Sequence, residues 1–268
     1  MYSLTQATNL LLKSSSDNNN KDIIYYNIWK FRHIFWVLEV WRSILLKIKD
    51  NTYLESEIVN KAEICFMLHD IWRFFQNDWE KVLQNKDFEH WDKSYEIVKN
   101  NDYSLDICLA IKYHNKFEIN WIFEEKEYFE MNDKQKKDTI FLLNILKDAD
   151  KLQNMIYCIF DFNNFVNFDK TAWKLLENDI LEINLNSIQK HKLLKHSNVV
   201  SKGDYILCSI SFLFDLNFEE SMNILSFYSY IEKSISLLEN TPWVSKESME
   251  IIRKEVNEIN ILWQINKN

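Results

Sequence analysis

Residues 33–48, HIFWVLEVWRSILLKI, place Ile34, Val37, Leu38, Trp41, Leu45 and Ile48 at spacings of three and four. Apolar residues at that period line one face of an α-helix, whereas a half-buried strand would alternate. The pattern extends back to Ile23. It recurs in Ile58, Ala62, Cys65, Phe66 and Leu68 of segment 57–75, and in Ile145, Ala149, Leu152 and Ile156 of segment 134–160. Shorter helices fit 90–100, 104–115, 184–196, 204–215 and 218–239, and a last one fits 245–264 with Pro242 near its start. The polar stretch NDWEKVLQNKD at 77–87 is a break, the very acidic 116–133 is ambiguous, and the Phe- and Asn-rich 161–183 is only partly helical. Composition agrees. In 268 residues there is one glycine, Gly203, and one proline. Gly-rich phosphate loops and dinucleotide folds need several glycines, and hairpin-rich sandwiches need turn glycines and prolines. With 47% hydrophobic residues a sizeable core is available, and the fold class is all-α.

Residues 1–20, ending in SSSDNNN, read as a mobile N-terminal segment. Residues 21–268 read as a single α-helical domain: part 21–160 carries four of the six histidines, and additional C-terminal helices occupy 161–268. The net charge of −8 disfavours a nucleic acid polymer as partner, since that binding needs a basic face. A small anionic partner is compatible where positive charge is local. No apolar run approaches the roughly 18 residues of a membrane span, and residues 1–13 lack the basic region and cleavage site of a secretion signal. Cys65, Cys108, Cys158 and Cys208 lie far apart in apolar surroundings. Buried reduced thiols of that kind suit the cytoplasm. The long aromatic helices are equally suited to supporting a homodimer.

The side chains able to carry chemistry are few. His33 (KFRHIFW), His69 (MLHDIWRF), His90 (FEHWDK) and His114 (IKYHNKF) each end or interrupt an apolar helical run, so imidazoles stand where core meets solvent. Any one of them is equally explained as a hydrogen-bonded core residue. As an ordered set followed by the aspartates of KDADKL (147–152), they offer imidazoles and carboxylates without thiolates. That donor set suits Mn, Fe, Co, Ni or Zn. His191 and His196, in KHKLLKH, read as solvated.

The ordered set resembles the HD superfamily of metal-dependent phosphohydrolases. MLHDIWRF is similar to that family's LHDIGRF stretch, AIKYHN (110–115) to its helix-end histidine motif, and KDADKL to its terminal aspartate motif. FEHWDKSYEIV (88–98) resembles the segment that supplies an extra histidine in two-metal members, and DYILCSISFLFDLNF (204–218) the C-terminal helices of some bacterial members. The resemblance spans roughly 27–240 and makes 21–160 the metal-binding part of an HD-type domain. It implies one or two divalent transition metals: a first held by His33, His69, Asp70 and Asp150, and a second sharing Asp70 with His90 and His114. Asp148 and Asp150 lie about 200° apart on a helix, so one ion would not engage both. The family register favours Asp150, and Asp148 is the fallback.

The implied activity is hydrolysis of a phosphomonoester or phosphodiester of a nucleotide-like small molecule by a metal-activated hydroxide, with Asp70, Arg73 and Lys151 as catalytic residues. Arg73, about one helical turn past Asp70, would fork onto phosphate oxygens, and Asn115 would orient substrate. Ordinary ion pairs explain Arg73 and Lys151 as well, and Asn115 also suits a helix end. One departure matters: Trp72 stands where the family has glycine, either shaping the pocket, stacking on a base or blocking access. The alternative is therefore a catalytically silent nucleotide-binding or regulatory module with a structural metal, and a helical scaffold without metal is the plainer third reading. The acidic run EEKEYFE (124–130) reads as a solvated face.

Overall fold

The apolar stripe of residues 34–48 becomes one face of α2 (Lys21–Asn51). Ile34, Val37, Leu38, Trp41, Ile44, Leu45 and Ile48 are buried along it, while Phe35, Trp36 and Leu46 face outward. The computed structural model describes residues 4–15, 21–51, 55–75, 90–116, 119–168 and 175–265. Among the described residues the chain is helical, with no β-ladder beyond an isolated parallel bridge between Leu176 and Ser201. The remaining helices are α1 (Leu4–Ser15), α3 (Ser56–Leu68), α4 (His90–Asn100), α5 (Leu105–Tyr113), α6 (Lys126–Glu130), α7 (Asp133–Phe168), α8 (Glu182–Gln189), α9 (Lys202–Ser211), α10 (Glu219–Phe227), α11 (Tyr230–Glu239) and α12 (Lys246–Ile265). Short 3-10 turns lie at Ile71–Phe75, Ile119–Glu124, His196–Asn198 and Phe212–Asp215. No helix among the described residues is long and apolar enough to cross a membrane.

The described chain groups into two compact units, Met1–Gln153 and Asn154–Asn268, with the division inside α7. In the first unit α2 and α1 pack on α3, α3 packs on α5, and α4 packs on α5. Lys61 of α3 braces the unit by reaching Asp106 of α5 at 2.7 Å and Asp138 of α7 at 3.0 Å. The expectation of a mobile segment over residues 1–20 is corrected for Leu4–Ser15, which is helical. Ala7, Leu11 and Ser14 are buried along one face, a spacing of four and three that the polar composition around them disguised. Residues 16–20 and the break at 77–87 lie outside the described residues.

In the second unit the polar hub is Asp204, fully buried at the start of α9. It accepts hydrogen bonds from the backbone N–H groups of Leu181 and Ser201 and from the Asn184 amide, and it closes a capping box with Ser201. Gly203 has a steric reason: a Cβ there would stand 2.7 Å from Ile180 Cγ1 and 3.0 Å from Val244 Cγ2. Chain reversals elsewhere proceed without glycine. Asp102, His191 and Ser229 all take left-handed backbone conformations, with φ of 59°, 50° and 50°. These residues end two expected helices early. The 184–196 helix stops at Gln189, and the 218–239 helix divides at Ser229 into α10 and α11. Likewise the helix expected over 57–75 stops at Leu68, and the chain passes into the Ile71–Phe75 turn.

All four cysteines are buried and free. Burial pushes the Cys108, Cys158 and Cys208 thiols up to about 12 and Cys65 well above its usual value, which keeps them protonated and unreactive at neutral pH.

Candidate metal centre

Three elements of the first unit bring the chemistry together. α2 contributes His33, the end of α3 contributes His69 and Asp70, and α7 contributes Asp150. His33, His69 and Asp70 are buried, and one ligand atom from each lies within 4.8 Å of the other two. His33 Nε2 stands 3.3 Å from His69 Nε2, 3.9 Å from Asp70 Oδ2 and 3.2 Å from Asp150 Oδ1. The His114 ring, at the end of α5, meets the His69 ring edge-on with centroids 5.2 Å apart.

The outer nitrogens explain why the inner ones converge. His69 Nδ1 donates to the Phe66 carbonyl at 2.8 Å, and His114 Nδ1 to the Ile111 carbonyl at 2.6 Å, each reaching back one turn along its own helix. His33 Nδ1 donates to Gln153 Oε1 of α7 at 2.7 Å. With Nδ1 committed to an oxygen acceptor, the neutral ring keeps its lone pair on Nε2, the arrangement found for imidazoles that bind metals. Lone pairs of two histidines at 3.3 Å, beside two carboxylates, form an electron-rich meeting point that a divalent cation would satisfy. The residues present therefore fit a metal ion.

Burial controls protonation here. It pushes His69 down to about 4, helped by neighbouring His114 and His33 and opposed by Asp70 and Asp150. For Asp150, burial acts upward, but the surrounding imidazoles of His33, His69 and His114 in their protonated forms, His33 foremost by hydrogen bond and charge, hold the carboxyl below its ordinary range. Metal ligands must be deprotonated, so both groups are in binding form at neutral pH. A stability effect follows for the metal-free protein. Unfolded, His69 takes a proton near pH 6.5; folded, it resists until about pH 4. Its contribution is fully present above pH 6.5 and is lost progressively as pH falls toward 4, on the order of 3 kcal/mol in all. Urea denaturation of chelator-treated protein should give a lower midpoint at pH 5 than at pH 7.5, with the difference reduced in His69→Asn. Equal midpoints would contradict the buried neutral imidazole.

The other residues singled out in the sequence fall into place unevenly. Asp150 is the carboxylate that reaches His33, while Asp148 is fully buried. Arg73 is carried by the 3-10 turn and not by a continuing helix; its backbone N–H bonds the Asp70 carbonyl at 2.9 Å, and its side chain is half-buried. Trp72 is half-buried on the same turn, its backbone N–H bonding Ser94 Oγ of α4 at 3.2 Å. Asn115 is exposed just past His114, and Lys151 is half-buried on α7. His90 opens α4, but its side chain lies outside the described residues. Two residues were missed: Gln153, which orients His33, and Lys30, whose Nζ donates to Asp70 Oδ2 at 2.7 Å. Each lies three residues along a helix from a recognised ligand, Gln153 from Asp150 and Lys30 from His33. That spacing was the available signal.

Residues 31–155 match the family model of the HD domain. No curated protein and no solved structure matches the chain.

Proposed function

Because residues 31–155 make this chain a member of the HD superfamily, whose members are mostly metal-dependent hydrolases, we propose that it is a phosphohydrolase acting on a phosphomonoester or phosphodiester of a nucleotide-like small molecule. The observation that carries this reading is the set of three imidazoles, His33, His69 and His114, each bonded through Nδ1 to an oxygen. His33, His69, Asp70 and Asp150 would hold a divalent ion, with His114 adjacent. When bound, such an ion neutralises phosphoryl oxygens and lowers the pKa of water toward neutrality.

The protein's own groups do the rest. Gln153 and the Phe66 carbonyl fix two ligand rings in orientation, which removes a reorganisation cost from the reacting geometry. Arg73 supplies a fork for phosphate oxygens, Lys151 adds positive charge, and Asn115 orients the substrate at the exposed end of α5. A nucleotide-like substrate is favoured by Trp72, a half-buried indole on the turn beside Asp70 that offers a stacking face. Buried free thiols suit a cytoplasmic setting. The same Trp72, standing where a small residue would leave room, favours one rival: a catalytically silent nucleotide-binding module with a structural metal.

The test is release of phosphate or nitrophenolate from nucleoside monophosphates and from mono- and bis-nitrophenyl phosphate, with Mn²⁺, Fe²⁺, Co²⁺, Ni²⁺ or Zn²⁺ and with chelator. Metal-dependent turnover is expected. A bound ion with no turnover on any of these substrates would leave the silent module, and absence of any bound ion would overturn both.

A further inference from the structure

A second group of potential metal ligands lies in the second unit, outside residues 31–155. The turn that ends α8 brings His191 to α12, where Glu255 and Glu258 stand about one helical turn apart. One ligand atom from each of the three lies within 4.8 Å of the other two. The backbone N–H of His191 bonds the Ile188 carbonyl at 2.9 Å, and its ring stacks on Phe214 with centroids 5.2 Å apart and 18° between planes. The imidazole is thus fixed by its turn and by an aromatic face, with Nε2 standing 3.5 Å from Glu255 Oε2.

Glu255 is the informative member. It is 5% exposed, yet its carboxylate accepts no hydrogen bond among the described residues. Its charged neighbours are His191 and, 3.7 Å from Oε1, the Lys254 ammonium, both farther than a charge-assisted hydrogen bond reaches. Lys254 is exposed and is shared with Glu258 at 3.9 Å, so it is a loose counter-ion in water. Imidazole and carboxylates are ligands of Zn²⁺ and its neighbours, and a buried carboxylate without hydrogen bonds calls for such a cation. Ligand atoms around a tetrahedral Zn²⁺ stand about 3.4 Å apart, close to the 3.5 Å between His191 and Glu255. The exposed side chain of Glu258 has room to close the remaining distance. We propose that His191, Glu255 and Glu258 bind a divalent ion of the Zn²⁺ class, with water completing its shell, and that this ion pins the turn after α8 to α12. The ion supplies the cation that Glu255 lacks and stabilises the folded second unit by mass action, while its open water position keeps it exchangeable. The proposal is independent of the function read from the first unit.

The experiment uses full-length, tag-free protein carrying Asp70→Asn, which removes a ligand of the first-unit centre, with and without His191→Asn. Metal content is measured after loading with Zn²⁺ and desalting, beside thermal melting with Zn²⁺ or with chelator. Adding His191→Asn should lower the content by about one ion per chain and abolish the rise in melting temperature that Zn²⁺ gives. Co²⁺ titration should develop visible absorption bands that the added His191→Asn removes. Asparagine suits the left-handed backbone at that position, and melting in chelator shows that each variant is folded. Glu258→Gln, on an exposed side chain that the fold does not need, should weaken Zn²⁺ binding at this site by at least about 10-fold. Equal metal content and equal Zn²⁺-dependent melting with and without His191 would overturn the proposal. So would absence of any ion from the Asp70→Asn protein. Either result leaves the phosphohydrolase reading standing.

Discussion

Asp70→Asn is expected to lose the metal bound in the first unit and to reduce phosphohydrolase turnover by at least about 10³-fold, because it removes one of the two carboxylates that bring negative charge to the site, the one grouped with His33 and His69. Asparagine is the informative replacement. Asp70 is 5% exposed and is the counter-charge of Lys30 at 2.7 Å. Truncation to alanine would leave that ammonium buried without a partner, at a cost of about 3–5 kcal/mol, and would confuse unfolding with loss of chemistry. The asparagine carbonyl still accepts from Lys30 Nζ, so the turn after α3 keeps its shape while losing its charge. The measurements are metal content, initial rate at saturating substrate, and melting temperature. Ser229→Asn is a suitable control: it lies in the second unit, and asparagine tolerates the left-handed backbone at that position. Retention of more than a tenth of wild-type turnover by a folded Asp70→Asn protein would show that hydrolysis does not run through this site.

The helices could be read because burial imposes a period on the sequence. The face of α2 from Ile34 to Ile48 and the run from Ile145 to Ile156 on α7 are set by residue type alone, and those elements stand where the periodicity put them. The interruptions were harder. Reversals normally announce themselves through glycine, but here Asp102, His191 and Ser229 adopt the left-handed conformation themselves. Nothing local distinguished Ser229 from a residue inside one long helix. The site divides in the same way. His33, His69, Asp70, His114 and Asp150 could be picked out because their residue types are uncommon in apolar runs and their order resembles a family. Gln153 and Lys30 offered only their three-residue spacing from Asp150 and His33, and an amide and a lysine at that spacing acquire meaning only through contacts 120 and 40 residues away in the chain. Arg73 shows the limit of helical extrapolation. It was placed one α-turn past Asp70, and the chain instead tightens into a 3-10 turn there.

Trp41→Ala should destabilise the protein by about 3–5 kcal/mol and lower its melting temperature by on the order of 10 °C. Trp41 is fully buried on α2, eight residues beyond His33, and its ring packs against Phe66 of α3 with centroids 5.1 Å apart. Phe66 is also the residue whose carbonyl accepts from His69 Nδ1 at 2.8 Å. The same contact therefore holds α2 against α3 and fixes the carbonyl that orients a ligand ring. Emptying it would loosen the 3.3 Å approach of His33 to His69, and metal affinity should weaken by roughly 10-fold or more although no ligand is altered. Trp41→Phe separates packing from polarity. The indole N–H finds no hydrogen-bond partner among the described residues, and such a buried donor costs about 1–3 kcal/mol. Phenylalanine removes that donor while keeping most of the aromatic contact. It should therefore melt far closer to wild type than alanine does and should hold its ion with near-native affinity. If Trp41→Ala melted much lower yet bound metal as tightly as wild type, the α2–α3 contact would stabilise the fold without positioning His33 and His69.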